Sequence, residues 1–295
     1  MPAPPIKHMP MPKDFTSTFD PERFAKQIAF DDLMRGLLIG GVVTALLMTL
    51  LLPGLVVVSG LIAPAIVLGL WLWLSVSTAR VARSLATFSE LMASEPSKAE
   101  DALREVLRIR PVMRWARILS YHRLAGLRHL QRRFTETAAI CLCLLSQPLK
   151  GPAAATRPHL LLMLAEAQLE IGNLPGAYHA LAHLQQTKLG LAQSLQRLAI
   201  QTRYELAIGA YDSAMHRARA KVELAELMPA KHCATMHAML ATAAQRSGQA
   251  QQSDWLWQRT RLLAGPDFAK QLEQGGFDVP IVEPETDNGD SRESV

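Results

Sequence analysis

Few cysteines, few aromatic residues and few charges set the first limits on this chain. Cys141, Cys143 and Cys233 are the three cysteines among 295 residues. An odd set of three, with none in the turn of the apolar run, does not make the disulfide framework of a small secreted protein, and it fits a reducing compartment. Aromatic residues make up 6% of the chain, and the frequent Leu, Ala, Gln and Arg favour helix, because strands enrich β-branched and aromatic side chains. The expected fold class is all-α. The G-x-S-x-G elbow, the Walker A loop, the dinucleotide fingerprint and the kinase set are also missing. Binding, not catalysis, is therefore the expected work, and no cofactor is expected.

The largest absence is of charge. No charged residue occurs from Gly36 to Val76, a run beyond the ~18 apolar residues that mark a membrane span. A single helix of that length would be about 60 Å long, twice the ~30 Å hydrocarbon core, so two passes are expected. Pro53-Gly54 and Ser59-Gly60 are the available breaks. Gly40, Gly41, Thr44, Ala45, Ser59, Gly60, Ala63 and Gly69 supply small faces for close helix contact, and Trp71 and Trp73 stand near the exit, where indoles favour the interface. No ionisable side chain interrupts the run, which argues against a pump or transporter. Arg23, Lys26 and Arg35 precede it, Arg80 and Arg83 follow it, and the turn has no base. The positive-inside rule then puts both termini in the cytoplasm, on an inner membrane of bacterial type. About 35 residues, Asp31 and Asp32 among them, lie ahead of the run, unlike the short basic start of a cleaved signal peptide.

In chain order, residues 1–19 are proline-rich and expected to be disordered. Asp20-Pro21-Glu22 opens a short juxtamembrane helix over 20–35. The hairpin covers 36–78, and linking helices cover 79–111, with a capping box from Ser97 to Glu100 and a stop at Pro111. A helical domain covers 112–276. The tail, 277–295, carries Asp278, Glu283, Glu285, Asp287, Asp290 and Glu293 against Arg292 alone, and is expected to be disordered.

Within 112–276 the chain repeats itself every 37 to 40 residues, a period that points to stacked helix pairs. The stretches that begin at His122, Leu162, Ala199 and Ala238 superpose as helix, short turn, helix. Gly172, Gly209 and Gly248 share one turn position, where the first stretch has Arg132. Ala125, Ala165, Thr202 and Ala241 share a small position in the first helix; Ala177, Ala214 and Ser253 share one in the second, and Lys221 stands where a small residue is usual. These residues resemble the tetratricopeptide repeat family in a degenerate form. The resemblance implies a TPR-like α-solenoid of about four helix pairs that binds a protein partner along a groove lined by first helices. Repeat register then makes Tyr121, Arg128, Gln168, Gln201 and Glu205 the groove candidates.

One more absence is local: from Val106 to Thr135 there is no acid. Arg108, Arg110, Arg114, Arg117, Arg123, Arg128, Arg132 and Arg133 fall in that interval, with His122 and His129 among them. Such a face suits anionic lipid headgroups or an acidic protein segment, unless acids elsewhere compensate it. Nucleic acid is disfavoured, since no RNP-type or zinc-finger motif accompanies the arginines.

Metal readings are weak. Cys141 and Cys143 point about 200° apart on a helix, His179 and His183 share a face without a third ligand, and His232, Cys233 and His237 form only a loose cluster beside Met228, Met236 and Met239. The expected function is a membrane-anchored scaffold that recruits a protein partner at the cytoplasmic face. Two alternatives stand beside it. One is a non-catalytic peripheral subunit of a homo-oligomer or larger membrane complex. The other is a pathway accessory, because two spans followed by repeats is similar to a bacterial membrane family associated with haem biosynthesis.

Overall fold

A computed structural model of the full chain describes residues 96–109, 114–149 and 151–274, with scattered positions between Lys26 and Phe88. The expected tails (1–19 and 277–295) lie outside the described residues, as do most of the juxtamembrane helix, most of the hairpin and residues 110–113. Every described element is helical, and no strand occurs among the described residues. The α-helices are α1 (Pro96–Ile109), α2 (Arg114–Leu130), α3 (Phe134–Leu145), α4 (Arg157–Glu170), α5 (Leu174–Gln185) and α6 (Leu191–Ala207), then α7 (Tyr211–Met215), α8 (Ala218–Ala225), α9 (Ala230–Arg246), α10 (Ala250–Leu263) and α11 (Pro266–Glu273). A 3-10 turn, Gly151–Thr156, precedes α4. The chain divides into two compact units between Ala167 and Gln168, inside α4.

In the first unit α2 packs against α1, α3 and the 3-10 turn. Phe88, Ala99, Leu103 and Leu127 form one core cluster with Leu107 and Leu124 around it. From Thr137 onward α3 carries no charge, and its residues through Leu145 are all buried. A helix apolar on every side is stable only when covered on every side.

The second unit is built around α9, which packs against α6, α7, α8, α10 and α11. Its sequence, AKHCATMHAMLATAAQR, explains why: Cys233 through Ala241, Ala243 and Ala244 are all buried, and most are small enough for close approach by several neighbours. The α11 helix starts with Pro266 at its first turn, where the missing N–H costs nothing, and seats Ala269 and Leu272 against Ala234 and Ala238 of α9.

The turns between paired helices share one geometry. Arg132, Gly172, Gly209 and Gly248 are all left-handed, with φ of 58°, 80°, 74° and 80°. Each makes the same two bonds that close a helix end. The amide of the left-handed residue donates to the carbonyl three residues back: Arg132 to His129, Gly172 to Leu169, Gly209 to Leu206 and Gly248 to Gln245. The next amide donates five residues back: Arg133 to Arg128, Asn173 to Gln168, Ala210 to Glu205 and Gln249 to Ala244. Arg132 is thus a non-glycine residue held in the conformation that glycine adopts elsewhere.

The small positions are used as the repeat register requires. Ala125, Ala165, Thr202 and Ala241 are fully buried, as are Ala177 and Ala214, and Ser253 is nearly so. In the last unit the Ser253 hydroxyl donates to the Ala241 carbonyl at 3.0 Å, which joins the two small positions directly.

Lys221 marks a break in this regularity. The helix after Gly209 stops at Met215, Arg217 turns left-handed at φ 53°, and α8 restarts at Ala218. A break of this kind leaves carbonyls without helical donors. The Lys221 ammonium supplies them, donating to the Ala214 carbonyl at 2.8 Å and the Ser213 carbonyl at 3.5 Å, and to Glu205 at 3.1 Å. Among the described residues no helix is long and apolar enough to cross a membrane.

Candidate functional site

The arginine-rich interval maps onto α2 and the turn after it. Arg108 and Arg110 are the exceptions: the Arg108 side chain and all of Arg110 lie outside the described residues. Acids from outside the interval reach into it. Arg128, with its side chain only 12% exposed, donates to Glu100 of α1 at 3.0 Å and pairs with Glu136 of α3 at 3.2 Å. Arg133 also pairs with Glu136, which is buried. Gln131 donates to the second Glu100 oxygen at 3.0 Å. Hydrogen bonds from Arg128 and then Gln131 hold the Glu100 carboxyl below its usual pKa. Glu100 therefore ties α1 to the end of α2, beyond any role at its own helix start. Two of the eight arginines serve this internal network.

The remaining ones sit on α2 and its turn. Arg114 is half-buried and donates to Gln147 at 3.3 Å. Arg117 is half-buried beside Tyr121, and burial lowers its pKa. Arg123 is half-buried, and Arg132 is exposed. The patch is a mixture of structural and surface cations.

The groove candidates fall in both units. Tyr121 and Arg128 belong to the first. Gln168 in the second is buried, and its amide oxygen accepts from Asn173 Nδ2 at 2.8 Å, while Asn173 accepts from the Gly176 amide at 3.2 Å and so caps α5. Glu205 is buried and accepts from Gln201 at 3.0 Å and from Lys221 at 3.1 Å. Arg128, Gln168 and Glu205 occupy the same place, four residues before the left-handed turn, and in each case the side chain is engaged within its own unit. Gly176 shows how tight this place is: an added Cβ would lie 2.7 Å from Asn173 Nδ2 and 2.9 Å from the Gln168 amide carbon.

The cysteines are free thiols in the interior. Burial pushes the Cys141 thiol up, with Cys143 adding to the effect, and burial lifts Cys143 to about 11. Protonated thiols of this kind behave as small apolar groups. His237 is fully buried with neither ring nitrogen hydrogen-bonded, and its ring lies 6.4 Å from that of Trp255. Burial, followed by the charge of Arg259, lowers its pKa, opposed by Glu226. Among the described residues no group of three or more His, Cys, Asp or Glu is arranged to hold a metal ion.

The contacts that sequence reasoning missed are those that cross between helices. Glu136 lies three residues after Arg133, a spacing that signals a helical pair. Glu100 is 28 residues from Arg128, and His122 meets His159 across 37 residues; no local signal marks either. No family model, curated protein or solved structure matches this chain.

Proposed function

We propose that the chain is a membrane-anchored scaffold whose hairpin, near 36–78, holds a TPR-like solenoid at the cytoplasmic face, where it docks a protein partner. One observation carries the anchoring. Seven described apolar positions in and beside the uncharged run are helical yet uncovered: Phe30, Leu33, Leu37, Val43, Leu47, Leu72 and Val76 are exposed, Leu37 by 63%, while Val42 between them is half-buried. Exposed apolar side chains in a sustained run are what a lipid-facing helix requires. Thr44 fits the same environment, because its hydroxyl donates to the Gly40 carbonyl at 2.8 Å and needs no water.

The four shared turns and the buried small positions support the solenoid reading, since both follow from the same repeat register. Docking of a protein partner is the use proposed for this surface, because stacked helix pairs present extended binding faces. The arginines on α2 and the turn after it would face the anionic leaflet, with Arg114, Arg117, Arg123 and Arg132 making the contact and Arg128 and Arg133 holding the fold. Three engaged arginines at about 1 kcal/mol each give roughly a hundredfold bias towards that orientation.

Trypsin cleavage tests the lipid contact on the full-length protein in nanodiscs. The expected result is slower cutting after Arg117, Arg123 and Arg132 on anionic lipid than on neutral lipid, with the difference lost in high salt. Equal cutting on both lipids refutes the lipid-facing arginines and leaves an acidic protein segment as their partner.

A further inference from the structure

Two histidines meet inside the first unit. Nε2 of His122 on α2 lies 2.9 Å from Nδ1 of His159 on α4, with the rings edge to face at 5.0 Å between centroids. Further along, His129 Nε2 lies 3.8 Å from a Glu166 carboxylate oxygen. Both steps, 122 to 129 and 159 to 166, are two helical turns, so α2 and α4 run in the same direction along a seam with two polar layers.

The first layer has room for one hydrogen. His122 is buried, and its Nδ1 has no hydrogen-bond partner. Either tautomer can supply the one N–H between the facing nitrogens; donated from His122 Nε2 to His159 Nδ1, it spares His122 Nδ1 a hydrogen that would have no acceptor and leaves that nitrogen as a bare lone pair. A further proton has two places to go within the pair. On His122 Nδ1 it makes a buried, charged N–H without an acceptor; on His159 Nδ1 it sets two hydrogens against each other across the gap. The second layer behaves oppositely, because a protonated His129 attracts the Glu166 carboxylate.

We propose that the His122–His159 pair is a proton-operated latch: acidification parts α2 from α4 at this layer while the His129–Glu166 layer keeps them together.

The surrounding charges point the same way. Burial first, then His159 and Arg123, hold the His122 pKa well below the usual histidine value. From the other elements on α2, Glu100 of α1 and Glu136 of α3 are engaged at Arg128, and the 3-10 turn, GPAAAT, has no titratable side chain. The parted helices return His122 to its ordinary range near 6.5, so the open form binds the extra proton. Opening therefore grows as pH falls below about 6.5, by about tenfold per pH unit for one proton, until the closed form also titrates.

Hydrogen exchange on the full-length protein, corrected for the intrinsic pH dependence of exchange, reads this directly. Between about pH 7.5 and pH 5, amides around His122 and His159 are expected to gain exposure by about tenfold per pH unit below 6.5, while those around His129 do not. His122→Gln and His159→Gln should each flatten the response, since glutamine keeps a hydrogen-bonding group but takes up no proton. If neither variant folds, the wild-type exchange and the imidazole resonances of His122 still decide. The latch is overturned by a flat wild-type profile, by opening spread evenly over α2, by an unchanged slope in folded variants, or by a His122 ring titrating at or above about 6.5.

Discussion

Replacing Gly209 with valine isolates the backbone cost of a shared turn. Gly209 has φ of 74°, and an added Cβ would meet nothing within 4 Å, so no clash contributes. An L-residue in the left-handed region costs about 1 to 2 kcal/mol, and more when it is β-branched. Loss of chain entropy in the unfolded state offsets about 0.4 to 1 kcal/mol of that. The net loss is about 1 to 2 kcal/mol, or a fall of roughly 3 to 6 °C in Tm for a domain of this size. Arg132→Gly is the mirror experiment. It relieves the same conformation at φ 58°, and after the entropy of the new glycine the gain is about 0.5 to 1 kcal/mol. Thermal unfolding of the full-length protein by far-UV circular dichroism measures both. An unchanged Tm for Gly209→Val, or a loss from Arg132→Gly as large as that from Gly209→Val, refutes the shared left-handed turn.

Lys221→Met should destabilise the second unit by about 2 to 3 kcal/mol, because it strands the buried Glu205 carboxylate and the carbonyls at the α7–α8 break. Adding Glu205→Gln should recover part of the loss, and urea unfolding of the single and double variants checks this. His237→Leu removes two buried nitrogens without partners and should raise stability by about 1 kcal/mol near neutral pH. The folded pKa of His237 is lowered, so the unfolded chain binds the proton first, and wild-type stability falls as pH drops below about 6.5. His237→Leu should lessen that fall, and equal pH profiles for variant and wild type would contradict the assignment.

The helical class and the turn register were legible because both rest on local spacing. The glycines at 172, 209 and 248 are set by the left-handed turn, and the small residues seven positions before and five after them by close helix approach; both leave a periodic mark in sequence. Even the exceptions were visible: Arg132 and Lys221 broke the pattern, and both occupy structural places, one a left-handed turn and the other a broken helix. The roles of Arg128, Gln168 and Glu205 were not legible. Repeat register places these side chains, but their partners, Glu100 and Glu136, Asn173, and Lys221 with Gln201, are set by the packing of particular helices. The arginine interval was similarly incomplete, since compensation comes from acids beyond its ends. The break at His216 and Arg217 had no glycine or proline to announce it.

Carbonate extraction of membranes from cells that make the full-length chain, beside a variant lacking residues 36–76, tests the anchoring most directly. High pH strips peripheral proteins and leaves those held by apolar spans. The full-length chain is expected to stay in the membrane pellet, and the variant to move to the supernatant with its helical circular dichroism intact. Release of the full-length chain into the supernatant would contradict the membrane anchor and, with it, the scaffold reading.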